Sequence, residues 1–145
     1  MEIKKEVNIV LSYLKLLNIY IEGDEFLYQI ESHPDAPSLL AYSDALSFFG
    51  IDNLAFNLDF NEIDNLPDNF LSIVKNPSNE IHLYVSHIKQ SDNLFFVTDH
   101  EGKTLQKDRN ELKEIWSGVV LLAEKSEDSV SQNTHLSKVL PVFLV

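Results

Sequence analysis

The chain contains no cysteine, which removes disulfides, thiolate metal sites, CxxC redox chemistry and any cysteine nucleophile. Glycine is scarce. Gly23, Gly50, Gly102 and Gly118 are the whole set, and no two fall within the spacing of a phosphate-cradling loop, so a P-loop or dinucleotide fingerprint is excluded. Positive charge is short as well: 11 Lys and Arg face 23 Asp and Glu across 145 residues, a formal charge of -12. Such a field repels a phosphate backbone, so neither nucleic acid nor nucleotide is an expected partner. No apolar run reaches the ~20 residues that cross a bilayer. The opening, Met1 to Lys5, is charged and leads into an amphipathic pattern unlike a secretory signal. The expected address is the cytoplasm.

What is present is enough apolar material, 44% of residues with 10% aromatic, to close one core at a modal domain size. The composition divides the chain into a domain over 1–125, a polar linker over 126–138 and an apolar tail over 139–145. Seven residues are too few to span a membrane, so the tail reads as the start of a span or as a segment docked on the domain.

From Ile3 to Asn18, Val7, Val10, Leu11, Leu14 and Leu17 recur at helical spacing, with Lys4, Lys5, Glu6, Ser12 and Lys15 between them, predicting a helix with one buried face. Asp24 to Ser32 predicts a second helix, ended by His33-Pro34. Pro37 to Phe49 predicts a third, closed by Gly50. The period then changes. Leu54, Phe56 and Leu58 alternate as a strand, and Asp59 with Glu62 suggests a capping box for a short turn before Pro67. Strand-like runs follow at Phe70 to Val74, Ile81 to Ile88, Leu94 to Thr98 and Val119 to Ala123. Asp99 to Gly102 reads as a turn leading into Thr104 to Lys107, and Asp108 with Glu111 caps a helix carrying Leu112, Ile115 and Trp116. Helices first, then an antiparallel sheet with one inserted helix, is the α+β class.

Particular residues add a resemblance. Pro37-Ser38-Leu39-Leu40, Ala45-Leu46-Ser47-Phe48-Phe49-Gly50-Ile51, Phe95-Phe96-Val97-Thr98-Asp99, and Glu111 followed by Ile115-Trp116-Ser117-Gly118-Val119-Val120-Leu121 resemble the bacteriocin-processing peptidases. These are papain-like cysteine peptidase domains at the cytoplasmic N-terminus of exporters, which cut peptide leaders after a double glycine. The resemblance covers roughly Glu6 to Glu124 and implies a papain-like fold. His33-Pro34-Asp35-Ala36-Pro37-Ser38-Leu39-Leu40 resembles a subgroup fused to vitamin K epoxide reductase-like membrane proteins. By either route the resemblance implies tethering to the inner membrane.

Carried over residue by residue, the active site is incomplete. Active relatives place their cysteine at the start of the first helix, where this chain has Lys5 or Glu6. The family histidine falls on Ile81 or on His82, and the family aspartate on Asp99. One residue of slip matters, because side chains alternate faces along a strand. Papain-like hydrolysis needs a thiolate, an imidazole to ionise it and an oxygen to orient the imidazole, so His82 and Asp99 are relics without the sulfur. No G-x-S-x-G elbow exists to make Ser12, Ser38, Ser43 or Ser47 a substitute. His82 and His87 differ by an odd number and face opposite sides of a regular strand, so no shared metal site is expected with His100 and Asp99. No cofactor is implied. His33 reads as a helix-end residue, and the aromatics Phe48, Phe49, Phe56, Phe60, Phe95 and Phe96 as core.

From Leu16 to Val74 there are eleven acids, Glu22, Asp24, Glu25, Glu31, Asp35, Asp44, Asp52, Asp59, Glu62, Asp64 and Asp68, and no Lys or Arg. Solubility accounts for such an excess, and so does attraction of a cationic peptide. The expected function is a peptidase-like domain without catalysis that recognises or docks a leader peptide for a membrane transport or thiol-redox protein. His82, Tyr84 and Asp99 would border the groove. Two other readings stand beside it: an accessory domain that only packs on its own membrane domain, and a hydrolase with a nucleophile other than cysteine.

Overall fold

The computed structural model describes residues 2–34, 38–76, 79–99 and 101–125, with the backbone alone for 2, 3, 76 and 79–83. The polar linker, the apolar tail, Pro37, Asp35 and His100 lie outside the described residues. Three helices open the chain: α1 (Glu2–Leu16), α2 (Gly23–Glu31) and α3 (Leu39–Phe48). A six-stranded antiparallel sheet follows, with strands β1 (Asp52–Asn57), β2 (Asn69–Asn76), β3 (Asn79–Ser91), β4 (Leu94–Thr98), β5 (Thr104–Lys107) and β6 (Trp116–Glu124). A 3-10 turn (Phe60–Asn65) lies between β1 and β2, and α4 (Arg109–Ile115) between β5 and β6.

Local chemistry sets the boundaries. Asn18, at φ 62°, ends α1 in the left-handed region that asparagine tolerates. Glu22 caps α2 by accepting the N–H groups of Asp24 and Glu25. Ser38 caps α3 by accepting the Ala41 N–H at 3.1 Å, so that helix starts at Leu39 rather than at Pro37. Gly50, at φ 77°, follows it where a left-handed residue closes the helix. Asp108 and Glu111 form the expected reciprocal capping box on α4, whereas Asp59 accepts from Asn61 instead of pairing with Glu62.

The sheet order is β1-β6-β2-β3-β4-β5, so the strand formed last in sequence sits between the first and the second. Alternation along the strands builds two cores. Leu71, Val85, Leu121 and Ala123 face α1, α2 and α3, whose Val10, Leu14, Phe26, Ile30, Tyr42 and Leu46 complete the first. Phe70, Ile88, Phe95, Val97, Val120 and Leu122 face the other way and pack with Leu58, Ile63, Leu112 and Ile115. The sheet is therefore covered on both faces, by three helices on one side and by α4 and the 3-10 turn on the other.

One polar group crosses the first core. The helical pattern of α1 assigned Glu6 to the solvent face, but its side chain is buried at 6% exposure. The Tyr42 hydroxyl donates to one carboxylate oxygen at 3.0 Å and the Val85 N–H to the other at 3.1 Å. The reason lies in the sheet. The β3–β4 ladder stops at the pair His87 and Thr98, two residues short of Val85, and the carboxylate supplies an acceptor beyond it. Seven residues along the same helix, the buried Tyr13 oxygen accepts the Ala123 N–H of β6 at 3.1 Å. Burial pushes the Tyr13 hydroxyl up to about 12, against the lowering effect of that N–H. Burial, then the Glu6 charge, holds the Tyr42 hydroxyl far above the ordinary tyrosine range, so it remains a donor.

Replacing Glu6 with Ala leaves a buried hydroxyl and a buried amide without their acceptor, and should cost about 2–4 kcal/mol in urea unfolding. Tyr42→Phe, which removes one donor and leaves the amide paired, should cost about 1–2 kcal/mol. Equal losses for the two variants would contradict this account of Glu6.

Candidate functional site

A cleft of about 280 Å³ opens where the first half of α1 meets the end of β4. On the helix side it is lined by Lys5, Asn8, Ile9 and Ser12, spaced three, four and seven apart and so on one face. Thr98, Glu101 and Gly102 line the other wall. Lys5 Nζ stands 3.7 Å from Glu101 Oε2 across the mouth, both side chains about half exposed. Solvent screening keeps such a pair below about 1 kcal/mol.

The turn carrying Glu101 is tied by hydrogen bonds to Asp99. Asp99 Oδ1 accepts the N–H groups of Glu101 and Lys103, each at 2.9 Å, while the Asp99 backbone N–H donates to Lys103 O at 2.8 Å. Gly102 donates to Asp99 O at 2.9 Å and takes φ 85°, which a side chain would oppose. Asp99 is thus half-buried and uses its carboxylate to shape the cleft wall. Of the two positions matched to a nucleophile, Lys5 lines the cleft and Glu6 points into the core.

The remaining sequence candidates separate in space. Tyr84 is half-buried and lies opposite Val74 in the β2–β3 ladder, on the sheet face of Phe70 and Ile88 rather than the face toward α1. His82 lies on β3, and its side chain is outside the described residues. His87 faces α1: its Nε2 lies 2.9 Å from Asn69 Oδ1, and its ring centroid 5.8 Å from that of Tyr13. Burial, then the charge of Lys89, lowers its proton affinity below the ordinary imidazole value. His33 at the end of α2 contacts Asp44 of α3, Nε2 to Oδ2 at 2.7 Å. Trp116 donates from Nε1 to Leu58 O at 3.0 Å and packs against Phe60 and Phe70. Phe48, expected in the core, is 66% exposed.

Chemically, the cleft offers an ammonium group, a carboxylate and hydroxyls. Ser12 and Thr98 supply the hydroxyls, and no thiol exists in the chain. Among the described residues no group of three or more His, Cys, Asp or Glu could hold a metal ion.

The sequence profile of the Peptidase C39 family matches residues 7–128. The chain belongs to the peptidase C39 family. Lys5 and Glu6 precede the matched stretch. The fold of this C39 domain is similar to that of the peptidase domain of Streptococcus ComA, a bifunctional ABC transporter involved in a quorum-sensing pathway. That match has a TM-score of 0.65 and 15% identity, and covers 81% of this chain and 88% of the other. A double-glycine-motif protease from an AMS/PCAT transporter, solved with its leader peptide, matches with a TM-score of 0.62 and 11% identity, over 86% of this chain and 84% of that one. The peptidase domain of Streptococcus mutans ComA matches with a TM-score of 0.54 and 16% identity, over 82% and 90%. No curated protein sequence matches. The α+β, papain-like architecture expected from the sequence is therefore the observed one, in a member of the family that carries no cysteine. Among the described residues no helix is long and apolar enough to cross a membrane.

The half-buried His87 is expected to make this C39 domain sensitive to acid. Its folded proton affinity lies below that of the unfolded chain, so its contribution to stability is complete above the unfolded value, ~6.5, and is lost as pH falls below it. The urea midpoint should fall between about pH 7.5 and about pH 5, and His87→Gln should flatten that slope without abolishing folding. An unchanged slope in the variant would assign the acid sensitivity to other groups.

Proposed function

We propose that this domain is a C39 peptidase fold used for peptide recognition without cleavage, with the cleft between α1 and the β4–β5 turn as its peptide site. One observation carries the reading: in a family resembling cysteine peptidases, the cleft-facing position at the start of α1 is a lysine, paired with Glu101. Acyl transfer to a peptide carbonyl needs an activated nucleophile beside a base. An ion-paired ammonium is neither, but charge and hydroxyls along a cleft suit the backbone and polar groups of an extended chain.

Further support comes from β5, the outer strand of the sheet, which follows directly from the cleft turn. An extended segment leaving the cleft would meet the edge of β5, which pairs with no second strand among the described residues, and there main-chain hydrogen bonds give affinity and flanking pockets give specificity. Asp99 acts here as a positioning residue that holds the wall in shape. His82, two residues before Tyr84 on β3, is a further peptide contact proposed on that strand and not on the cleft. Tyr84 takes part from the other face of β3, through packing and not through contact. The ligand is a double-glycine leader or a similar peptide, and the domain serves a membrane-bound transport or thiol-redox partner from the cytoplasmic side.

The test is fluorescence anisotropy with a labelled double-glycine leader peptide, followed by mass spectrometry of the same mixture. The peptide should bind and stay intact, and Lys5→Glu or Asp99→Ala should each weaken binding by about tenfold. Scission by the purified chain would overturn the reading in favour of an enzyme. Absence of binding at low and high salt would overturn it in favour of a domain that only packs on its own membrane partner.

A further inference from the structure

We infer that a second surface, the groove between α2 and α3, is a docking site for a cationic amphipathic peptide segment. The groove measures about 370 Å³ and is lined by Asp24, Glu25, Tyr28, Gln29, Phe48 and Phe49. It shares no residue with the cleft, and the inference stands whether or not the cleft binds a leader.

Two features make the groove unusual. The first is apolar exposure. Tyr28 and Phe48 are each 66% exposed on neighbouring helices, although large aromatic side chains normally find cover. Phe48 is not a loose side chain: its ring sits edge-on against Phe49, centroids 5.2 Å apart at 90°, and Phe49 in turn lies 6.2 Å from the fully buried Phe26. This aromatic stack fixes an apolar shelf at the surface, with little side-chain entropy left to lose when a ligand covers it.

The second is charge. Asp24 and Glu25, both exposed, form the rim, and Glu22 and Glu31 stand exposed at the two ends of α2. From Leu16 to Val74 no Lys or Arg occurs to neutralise them. The charged side chains lining the groove are both acidic and stand beside an apolar floor, an arrangement that favours cations over phosphate-bearing surfaces. The complementary occupant is a segment with apolar residues on one side and Lys or Arg on the other, which places anchors against Tyr28 and Phe48 and cations over the rim.

The experiment uses the full chain and a labelled helical peptide of about 18 residues made of Leu and Lys, with a Glu-for-Lys counterpart. The Lys peptide should bind, and its affinity should fall about tenfold or more between about 50 mM and about 300 mM salt. Tyr28→Ala and Phe48→Ala, both at exposed positions, should each weaken it by about tenfold, and Asp24→Asn with Glu25→Gln by about threefold. Lys5→Ala, in the cleft, should leave it unchanged, which separates this surface from the cleft. Equal binding of the Glu peptide, or binding indifferent to Tyr28→Ala and Phe48→Ala, would overturn the inference. So would sedimentation showing that the chain self-associates through Phe48 in the absence of peptide, because the face would then belong to a second copy. Tighter binding of a peptide spanning 126–145 than of the Lys peptide would likewise overturn it, assigning the groove to the chain's own end.

Discussion

The Glu6 carboxylate is the joint on which this fold turns. It takes a hydroxyl from α3 and an amide from β3 while standing on α1, so three elements distant in sequence meet at one pair of oxygens. An ionised group inside an apolar layer is tolerated only when its acceptor sites are filled, and once filled it rejects arrangements that would leave it bare. The sheet creates the need, because β4 ends its pairing before β3 does. Together with the Tyr13 contact to β6, this fixes the rotation of α1 about its axis.

The rotation has a direct consequence for the cleft. With Glu6 turned inward, the adjacent Lys5 is turned toward the β4–β5 turn, in company with Asn8, Ile9 and Ser12. The fold therefore presents a particular residue of α1 to the cleft, and the chemistry there depends on what occupies that position. In this chain it is an ammonium group facing a carboxylate. The papain-like architecture of the C39 family surrounds this cleft, and the Asp99 carboxylate is spent on the N–H groups of the turn.

Much of the architecture was legible in the residues. Periodicity or apolar runs marked all four helices and most strands, since the apolar stripe of α1 and the continuous apolar run of β6, buried on both faces, record burial directly. The Asp108 and Glu111 box was readable because capping is local. Less legible were features made by distant partners. Nothing within Thr104 to Lys107, a run of four largely exposed residues, reveals that β4 will pair with it. Glu6 sits between lysines and hydrophobes in a pattern that assigns it to solvent, and only Tyr42 and Val85, 36 and 79 residues away, explain its burial. Phe48 shows the converse, since a hydrophobic type in a helical run predicts burial while the neighbouring turn of α3 fills the core first. Of the two α1 positions matched to a nucleophile, helix rotation, which sequence spacing does not set, puts Lys5 at the cleft and Glu6 in the core.

The strand order carries a lesson about synthesis. Because β6 lies between β1 and β2, the place beside the edge strand β1 stays vacant until almost the whole domain has left the ribosome. Until then β1 has α3 beside it and no strand neighbour, and β2 shows a bare edge on the side that β6 will take. The polypeptide thus closes like a drawer, with its last segment sliding home between walls already standing. Nascent chains stalled short of Glu124 would be the aggregation-prone species, whatever the stability of the finished domain.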